Sequence, residues 1–306
     1  MRRLFYVAAA LYLAGTVFGG IGLGWIALHP PRLPVTAREQ ANAQDAARAA
    51  AEGFDSISLT VADGTTLKAW FLTPPSPNGN VVILLHGVSD NRLGMYGYGK
   101  WLLDNHYAVL LPDARAHGLS GGLATYGLKE SGDIHQWVDW LESRYHPQCV
   151  YGLGESMGAA QLLESLPNES RFCAVVAECP FASFREVAYA RFGREFHTGP
   201  WLGSTFFRPT VDVGFLYVRL RYGLNMEEAS PKQAVEITRI PVMLIHGLSD
   251  HNIPPFHSDE IQARNPTDIV LWKVPGAAHT GAHKIAPEEF ERQVLGWFKT
   301  HSSAAL

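Results

Sequence analysis

Charge is scarce in this chain. Of its 306 residues 18% are Asp, Glu, Lys or Arg, and the formal net charge is -4. Nowhere do Lys and Arg cluster in the way that neutralises phosphates, which excludes a nucleic-acid partner. Cysteine is scarce too. Cys149, Cys173 and Cys179 fit no metal or redox spacing, and an odd number cannot all pair within one chain. Buried thiols are the default. One alternative stands: in an oxidising compartment Cys149 and Cys173, each opening one of two adjacent parallel strands, can be bridged. Internal repeats are absent, and the only biased tract is an Ala-rich stretch from Thr36 to Ala51. With 47% apolar residues the composition is that of an ordinary globular protein, so neither disorder nor a multi-span membrane protein is indicated. The length allows one large domain with appendages and leaves too little for a second.

Long apolar runs are limited to one, from Leu4 to Leu28, preceded by Arg2 and Arg3. At ~1.5 Å per helical residue it is long enough to cross a hydrocarbon core of ~30 Å. The competing reading is a cleaved secretory signal. Its apolar core usually runs only ~7–15 residues and ends at a small-x-small site, and Trp25–His29 offers a poor one. An uncleaved anchor is preferred. The glycines between Gly15 and Gly24 weigh slightly against a stiff helix, although membrane helices tolerate glycine better than soluble ones. With positive charge staying inside, the rest of the chain is expected outside the cytoplasmic membrane, with secretion after cleavage as the alternative. His29–Pro34 breaks the helix, and Thr36–Ala51 reads as a short juxtamembrane helix or stalk. The expected partition is therefore an anchor or signal at 1–28, a stalk at 29–53, one main domain at 54–300 and a flexible tail at 301–306.

From Phe54 onward the pattern changes. Ser56–Val61 and Leu67–Leu72 flank Asp63-Gly64, a strong hairpin signal. Short apolar strands follow at Val81–Leu85, Ala108–Leu111, Val150–Leu153, Ala174–Ala177, Val242–Ile245 and Ile269–Val274. Apolar throughout instead of alternating, they suit a parallel sheet covered on both faces. Helical segments lie between them near Tyr98–Leu103, Ile134–Arg144, Ala159–Leu166, Ser258–Ala263 and Glu288–Lys299. The expected fold is α/β, a doubly wound, mostly parallel sheet opened by an antiparallel hairpin. One interval breaks the alternation. From Phe181 to about Glu236 no clean strand appears, and eleven aromatics fall between Phe181 and Tyr222. This segment is expected to be an inserted cap, at about 181–236, over the carboxyl end of the sheet.

Ser156 stands out within Gly154-Glu155-Ser156-Met157-Gly158. A strand precedes it, a helix follows, and glycines sit two residues to either side. Those glycines permit a strained strand-turn-helix elbow that lifts the hydroxyl above the sheet, where larger side chains would meet neighbouring backbone. A serine hydroxyl becomes a useful nucleophile only when a histidine takes its proton and a carboxylate orients the histidine.

The motifs His86-Gly87, Asp113–Ser120, Gly154–Gly158, His246–Asp250 and Gly276–His279 occur in the order found in α/β-hydrolases. Over roughly Ile57 to Phe298 the chain resembles that superfamily. It looks nearest the often membrane-anchored branch similar to Bem46-like proteins and prolyl-oligopeptidase-type catalytic domains. The resemblance implies an α/β-hydrolase fold and a serine hydrolase with Ser156 as nucleophile, Asp250 as the acid after the strand Val242–Ile245, and His279 as the base after the last strand. The order Ser, Asp, His is the one this fold uses. Alternatives remain. Asp250 also suits a cap for the helix beginning near Pro254, His283 is a second possible base, and Glu178 ends a strand where some members place their acid. Glu155 and Glu178 are read as hydrogen-bonded supports, His86 and His117 as loop organisers, and Arg115 as the partner of a nearby loop carboxylate. His251 is expected to face solvent or substrate. The backbone N–H groups of Val88 and Met157 are the expected oxyanion donors. No metal or organic cofactor is implied. The expected partners are a small acyl substrate and, through the N-terminal helix, a membrane; oligomeric state is not legible. Aromatic richness in the cap points to an apolar acyl or aromatic substrate, although those rings also suit a cap core or a surface resting on a bilayer. A carboxylesterase is preferred to a peptidase because no charged pocket for peptide termini can be picked out. An acyltransferase or a serine peptidase on the same three residues is the alternative, and a silent binding protein is disfavoured because all three are present.

Overall fold

The computed structural model describes residues 1–33, 35–195 and 199–302. Pro34, residues 196–198 of the aromatic-rich segment and the end of the expected tail, 303–306, lie outside the described residues. Helix α1 (Arg2–Leu28) is long and apolar enough to cross a membrane. Helix α2 (Ala37–Ala50) begins at Thr36, whose side chain accepts from the Glu39 N–H while the Glu39 carboxylate takes the Thr36 N–H, a capping box that the sequence Thr-x-x-Glu encodes. Strands β1 (Gly53–Thr60) and β2 (Thr66–Thr73) pair antiparallel around a turn in which Gly64 takes φ +81°.

The alternation then runs β3 (Asn80–Leu85), α3 (Tyr96–Asp104), β4 (Ala108–Pro112), α4 (Glu130–Arg144), β5 (Cys149–Glu155), α5 (Met157–Ser165) and β6 (Phe172–Glu178). Helices α6 (Phe184–Glu195), α7 (Gly199–Ser204), α8 (Arg208–Tyr222) and α9 (Pro231–Ala234) occupy the connection to β7 (Val242–Gly247). The chain ends with α10 (Phe256–Arg264), β8 (Ile269–Val274), α11 (Ala282–Ile285) and α12 (Pro287–Thr300). The sheet order is β1-β2-β4-β3-β5-β6-β7-β8, antiparallel at β1–β2–β4 and parallel from there on.

Both faces are covered, which is why the central strands carry apolar residues throughout. On one face Trp137 and Leu141 of α4, Leu162 of α5 and Ile261 of α10 pack on Val81, Ile83 and Val175. On the other, Leu102 of α3 and Phe290, Val294 and Phe298 of α12 pack on Val82, Leu84 and Tyr151. Ala47 of α2 is fully buried in this second core, so α2 lies on the main domain and is not a stalk standing away from it. A third cluster sits over the carboxyl ends of the strands and joins Phe181, Phe184 and Val187 to Val218, Met226 and Ile253. Leu28, the last residue of α1, is fully buried within it. The aromatic segment thus supplies both a core, through Phe181 and Phe184, and exposed rings, at Trp201 and Phe206. Cys149 and Cys173, at the openings of β5 and β6, form a disulfide with Cα atoms 5.7 Å apart, and Cys179 is a buried free thiol.

Candidate active site

Ser156 sits between β5 and α5 at φ 52° and ψ -111°, a strained backbone that L-residues adopt only when the surroundings impose it. The flanking glycines let those surroundings close in. A Cβ at Gly154 would meet Gly158 O at 2.6 Å, and one at Gly158 would meet Leu85 O at 2.3 Å. The Ser156 N–H donates to Glu178 O on the neighbouring strand at 2.8 Å, which fixes the turn from the other side.

The loops at the carboxyl ends of β7 and β8 bring two further side chains to this hydroxyl. Ser156 Oγ lies 2.8 Å from His279 Nε2, and His279 Nδ1 lies 2.7 Å from Asp250 Oδ2. A carboxylate can only accept, so Nδ1 carries the proton and Nε2 is left as the acceptor for the serine hydroxyl. Asp250 is buried, and its other oxygen accepts the N–H groups of Asn252 and Ile253. Burial pushes its carboxyl up, but the His246 ring 3.5 Å from Oδ2, the hydrogen bond from His279 and the Ile253 N–H outweigh burial and hold it below the usual carboxylate range. Asp250 therefore stays ionised. Its loop contacts also show that it bridges the turn before α10 and is not the cap of that helix, which begins at Phe256.

His283 does not reach the serine. Its ring meets Glu291 at 3.2 Å and packs against Tyr98 and Phe290. Glu178 and Glu155 share the hydroxyl of Tyr98, at 3.4 and 2.9 Å, and Glu178 also accepts the Ala282 N–H at 3.0 Å. Burial, then the neighbouring Glu178 charge, pushes the Glu155 carboxyl up to about 8; burial pushes Glu178 up as well. Tyr98 carried no legible signal in the sequence. His86 accepts the Ala114 N–H and donates to Gly87 O, tying two loops together. His117 donates to Arg115 O, while Arg115 is held by both oxygens of Asp133 and by Asp63. His251 is exposed.

Val88 and Met157 line the same cavity as Ser156. As the first residue of α5, Met157 has an N–H with no intrahelical partner, and the loop holding Val88 is close enough that a Cβ on Gly87 would sit 3.6 Å from Ser156 Cβ. The cavity measures about 460 Å³ and is walled largely by apolar side chains. Among the described residues one trio of metal-capable side chains converges, Cys179, His246 and Asp250. It does not suit a cation: His246 Nε2 must donate to Ile253 O at 2.8 Å, and its Nδ1 is occupied by the Ser258 hydroxyl at 2.6 Å.

A doubly wound sheet with a serine on a strained turn at a strand's carboxyl end, backed by a histidine and a buried aspartate, defines an α/β-hydrolase. The chain belongs to the Alpha/beta hydrolase family, which it matches over residues 82–293. It is 28% identical over 240 residues to the uncharacterized protein YqkD of Bacillus subtilis, spanning 74% of this chain and 75% of that one. To the uncharacterized protein YfhR of Escherichia coli K12 it is 27% identical over 237 residues, 74% of each chain. Among solved structures it is similar to the esterase Pf2001 of Pyrococcus furiosus, at 25% identity and a TM-score of 0.70, covering 90% of this chain and 99% of that one. An acylaminoacyl peptidase of Pyrococcus horikoshii shares the fold at 16% identity and a TM-score of 0.59, covering 82% and 42% of the two chains.

Proposed function

We propose that this chain is a serine hydrolase of carboxylesterase type acting on an apolar acyl ester. The observation that carries the reading is the hydrogen-bonded chain from Ser156 Oγ through His279 to Asp250. His279 Nε2 takes the hydroxyl proton as Oγ attacks the ester carbonyl, and Asp250 steadies the imidazolium that forms. The tetrahedral oxyanion is received by the N–H groups of Met157 and Val88, each such donor worth ~2.7–4 kcal/mol. Collapse breaks the ester C–O bond, His279 returns its proton to the leaving alkoxide, and the acyl group stays on Ser156. Water, deprotonated by the same imidazole, then releases the acid and restores the hydroxyl.

The apolar cavity walls support an acyl group over a peptide, and the similarity to an archaeal esterase points the same way. Kinship with the membrane-anchored Bem46-like branch and an extracytoplasmic site belong to the same proposal. They are supported by α1, by Arg2 and Arg3 at its start, and by the Cys149–Cys173 bridge, a feature of oxidising compartments. A fluorophosphonate probe should label the parent and fail to label Ser156→Ala. A label that persists in that variant points to another nucleophile and sinks the reading.

A further inference from the structure

The N-terminal helix does more than precede the catalytic domain. From Tyr12 onward it lies against it: the Tyr12 hydroxyl donates to Phe206 O at 2.8 Å, and Thr16, Gly20, Gly24 and Leu28 are buried along one side. The contact with α8 is a backbone approach. A Cβ at Gly20 would meet Thr210 O at 2.6 Å and one at Gly24 would meet Gly214 O at 2.8 Å, the small-xxx-small packing by which helices associate in membranes. Beyond it the chain is tied into the loops around the serine. Ala27 O accepts the Tyr126 hydroxyl at 3.0 Å, Leu28 O accepts the Ala124 N–H at 3.0 Å, and the Leu33 N–H donates to Ser89 O at 2.8 Å, next to Val88.

Two consequences follow. The first concerns depth. Ahead of Tyr12 only Arg2–Leu11 of the helix remain, ~15 Å at 1.5 Å per residue, about half of a hydrocarbon core of ~30 Å. If α1 is to cross, its second half must be in the bilayer too, and α7 and α8 go with it. The surface fits: Trp201 of α7, Phe206 of the turn between the helices, and Leu216 and Leu220 of α8 are each more than half exposed, a patch that water disfavours. The second concerns the cavity. Ile26 and Ala27 of α1, Phe215 and Val218 of α8 and Phe184 of α6 line the space above Ser156.

We propose that this cavity is an acyl-chain channel with the membrane helix as one wall, and that the substrate is a long-chain acyl ester drawn sideways from the leaflet in which α7 and α8 are embedded. The inference rests on the serine hydrolase reading and names its substrate class. The ester enters with its chain along the cavity walls formed by Ile26, Ala27, Phe184 and Phe215, its carbonyl over Ser156 and its alcohol toward the aqueous loops.

The test uses the full chain in phosphatidylcholine vesicles and compares turnover of 4-methylumbelliferyl palmitate and butyrate. Ala27→Trp fills the channel from the α1 side. The palmitate-to-butyrate ratio should fall by about tenfold or more, what expelling two methylenes from an apolar site costs. Ala14→Trp, the same change on the exposed side of α1, should leave the ratio alone. Should Ala27→Trp fail to fold, Leu216→Glu with Leu220→Glu tests leaflet entry from a surface that the fold does not depend on, with a comparable fall in the ratio expected. An unchanged ratio in a folded Ala27→Trp, or in the double variant, overturns the channel, as does a parent that cleaves butyrate but not palmitate. A parent that cleaves neither and resists fluorophosphonate overturns the hydrolase reading, and the channel with it.

Discussion

The hydroxyl of Tyr98 donates to Glu155 Oε1 at 2.9 Å, one residue before the elbow serine, and both side chains are half-buried. Burial and the neighbouring Glu178 raise the Glu155 carboxyl from its ordinary 4.5 to about 8. Between those values the folded state holds more protons than the unfolded one, so stability is full at the acid end and declines as pH rises through the window. Glu155→Gln cannot ionise. Relative to this variant, the parent's thermal midpoint should drop steadily from pH 5 to pH 8; a difference that stays flat rules out a raised Glu155 carboxyl.

Asp250→Asn should keep the loop, since the remaining side-chain oxygen still accepts the N–H groups of Asn252 and Ile253. What it loses is the acceptor for the His279 Nδ1 proton. With the wrong tautomer favoured, kcat on a short-chain ester should fall by ~10⁴-fold, with little change in the thermal midpoint. Retention of more than a tenth of the activity would remove Asp250 from the mechanism.

The Cys149–Cys173 bridge closes a loop with a sequence separation of 24, which chain-entropy reasoning values at about 3 kcal/mol. Replacing both cysteines by alanine should lower the denaturation midpoint accordingly and leave probe labelling of Ser156 intact at low temperature. Equal stability of parent and variant would mean that the bridge does not form in solution.

Gly158→Ala puts a methyl group 2.3 Å from Leu85 O and 2.7 Å from His86 O. Backbone on both sides cannot yield as a side chain can, so α5 must back away from β3 at a cost of ~1–3 kcal/mol or more. That motion carries Met157 with it. A matched loss of stability and kcat, measured by denaturation and ester turnover, is the expected outcome; a variant with parental kcat would mean that the elbow is looser than its contacts imply.

Much of the site was legible because the constraints involved are local. Gly154, Ser156 and Gly158 encode an elbow within five residues, and apolar strands followed by amphipathic helices encode a doubly wound sheet. Six strands of that sheet lie on runs of mainly aliphatic residues, and the other two flank the Asp63-Gly64 turn that marks their hairpin. Tyr98 was not legible, because nothing in its own helix distinguishes a tyrosine facing solvent from one that bridges Glu155 and Glu178. Gly20 and Gly24 were legible in part. Their four-residue spacing is a helix-packing signal, read beforehand only as a weakness in the helix.

The sequence by itself determined the fold class, the serine on its turn and the apolar N-terminal helix, since each depends on backbone preferences and periodicities within a short stretch. Only the tertiary structure decided that the ring of His279 meets Ser156 while that of His283 turns to Glu291. It also decided that Cys149 and Cys173 pair and that α1 walls the cavity above the serine. Those outcomes depend on distances between residues far apart in the chain, and such distances exist only once the sheet, its loops and the helices over them have packed together.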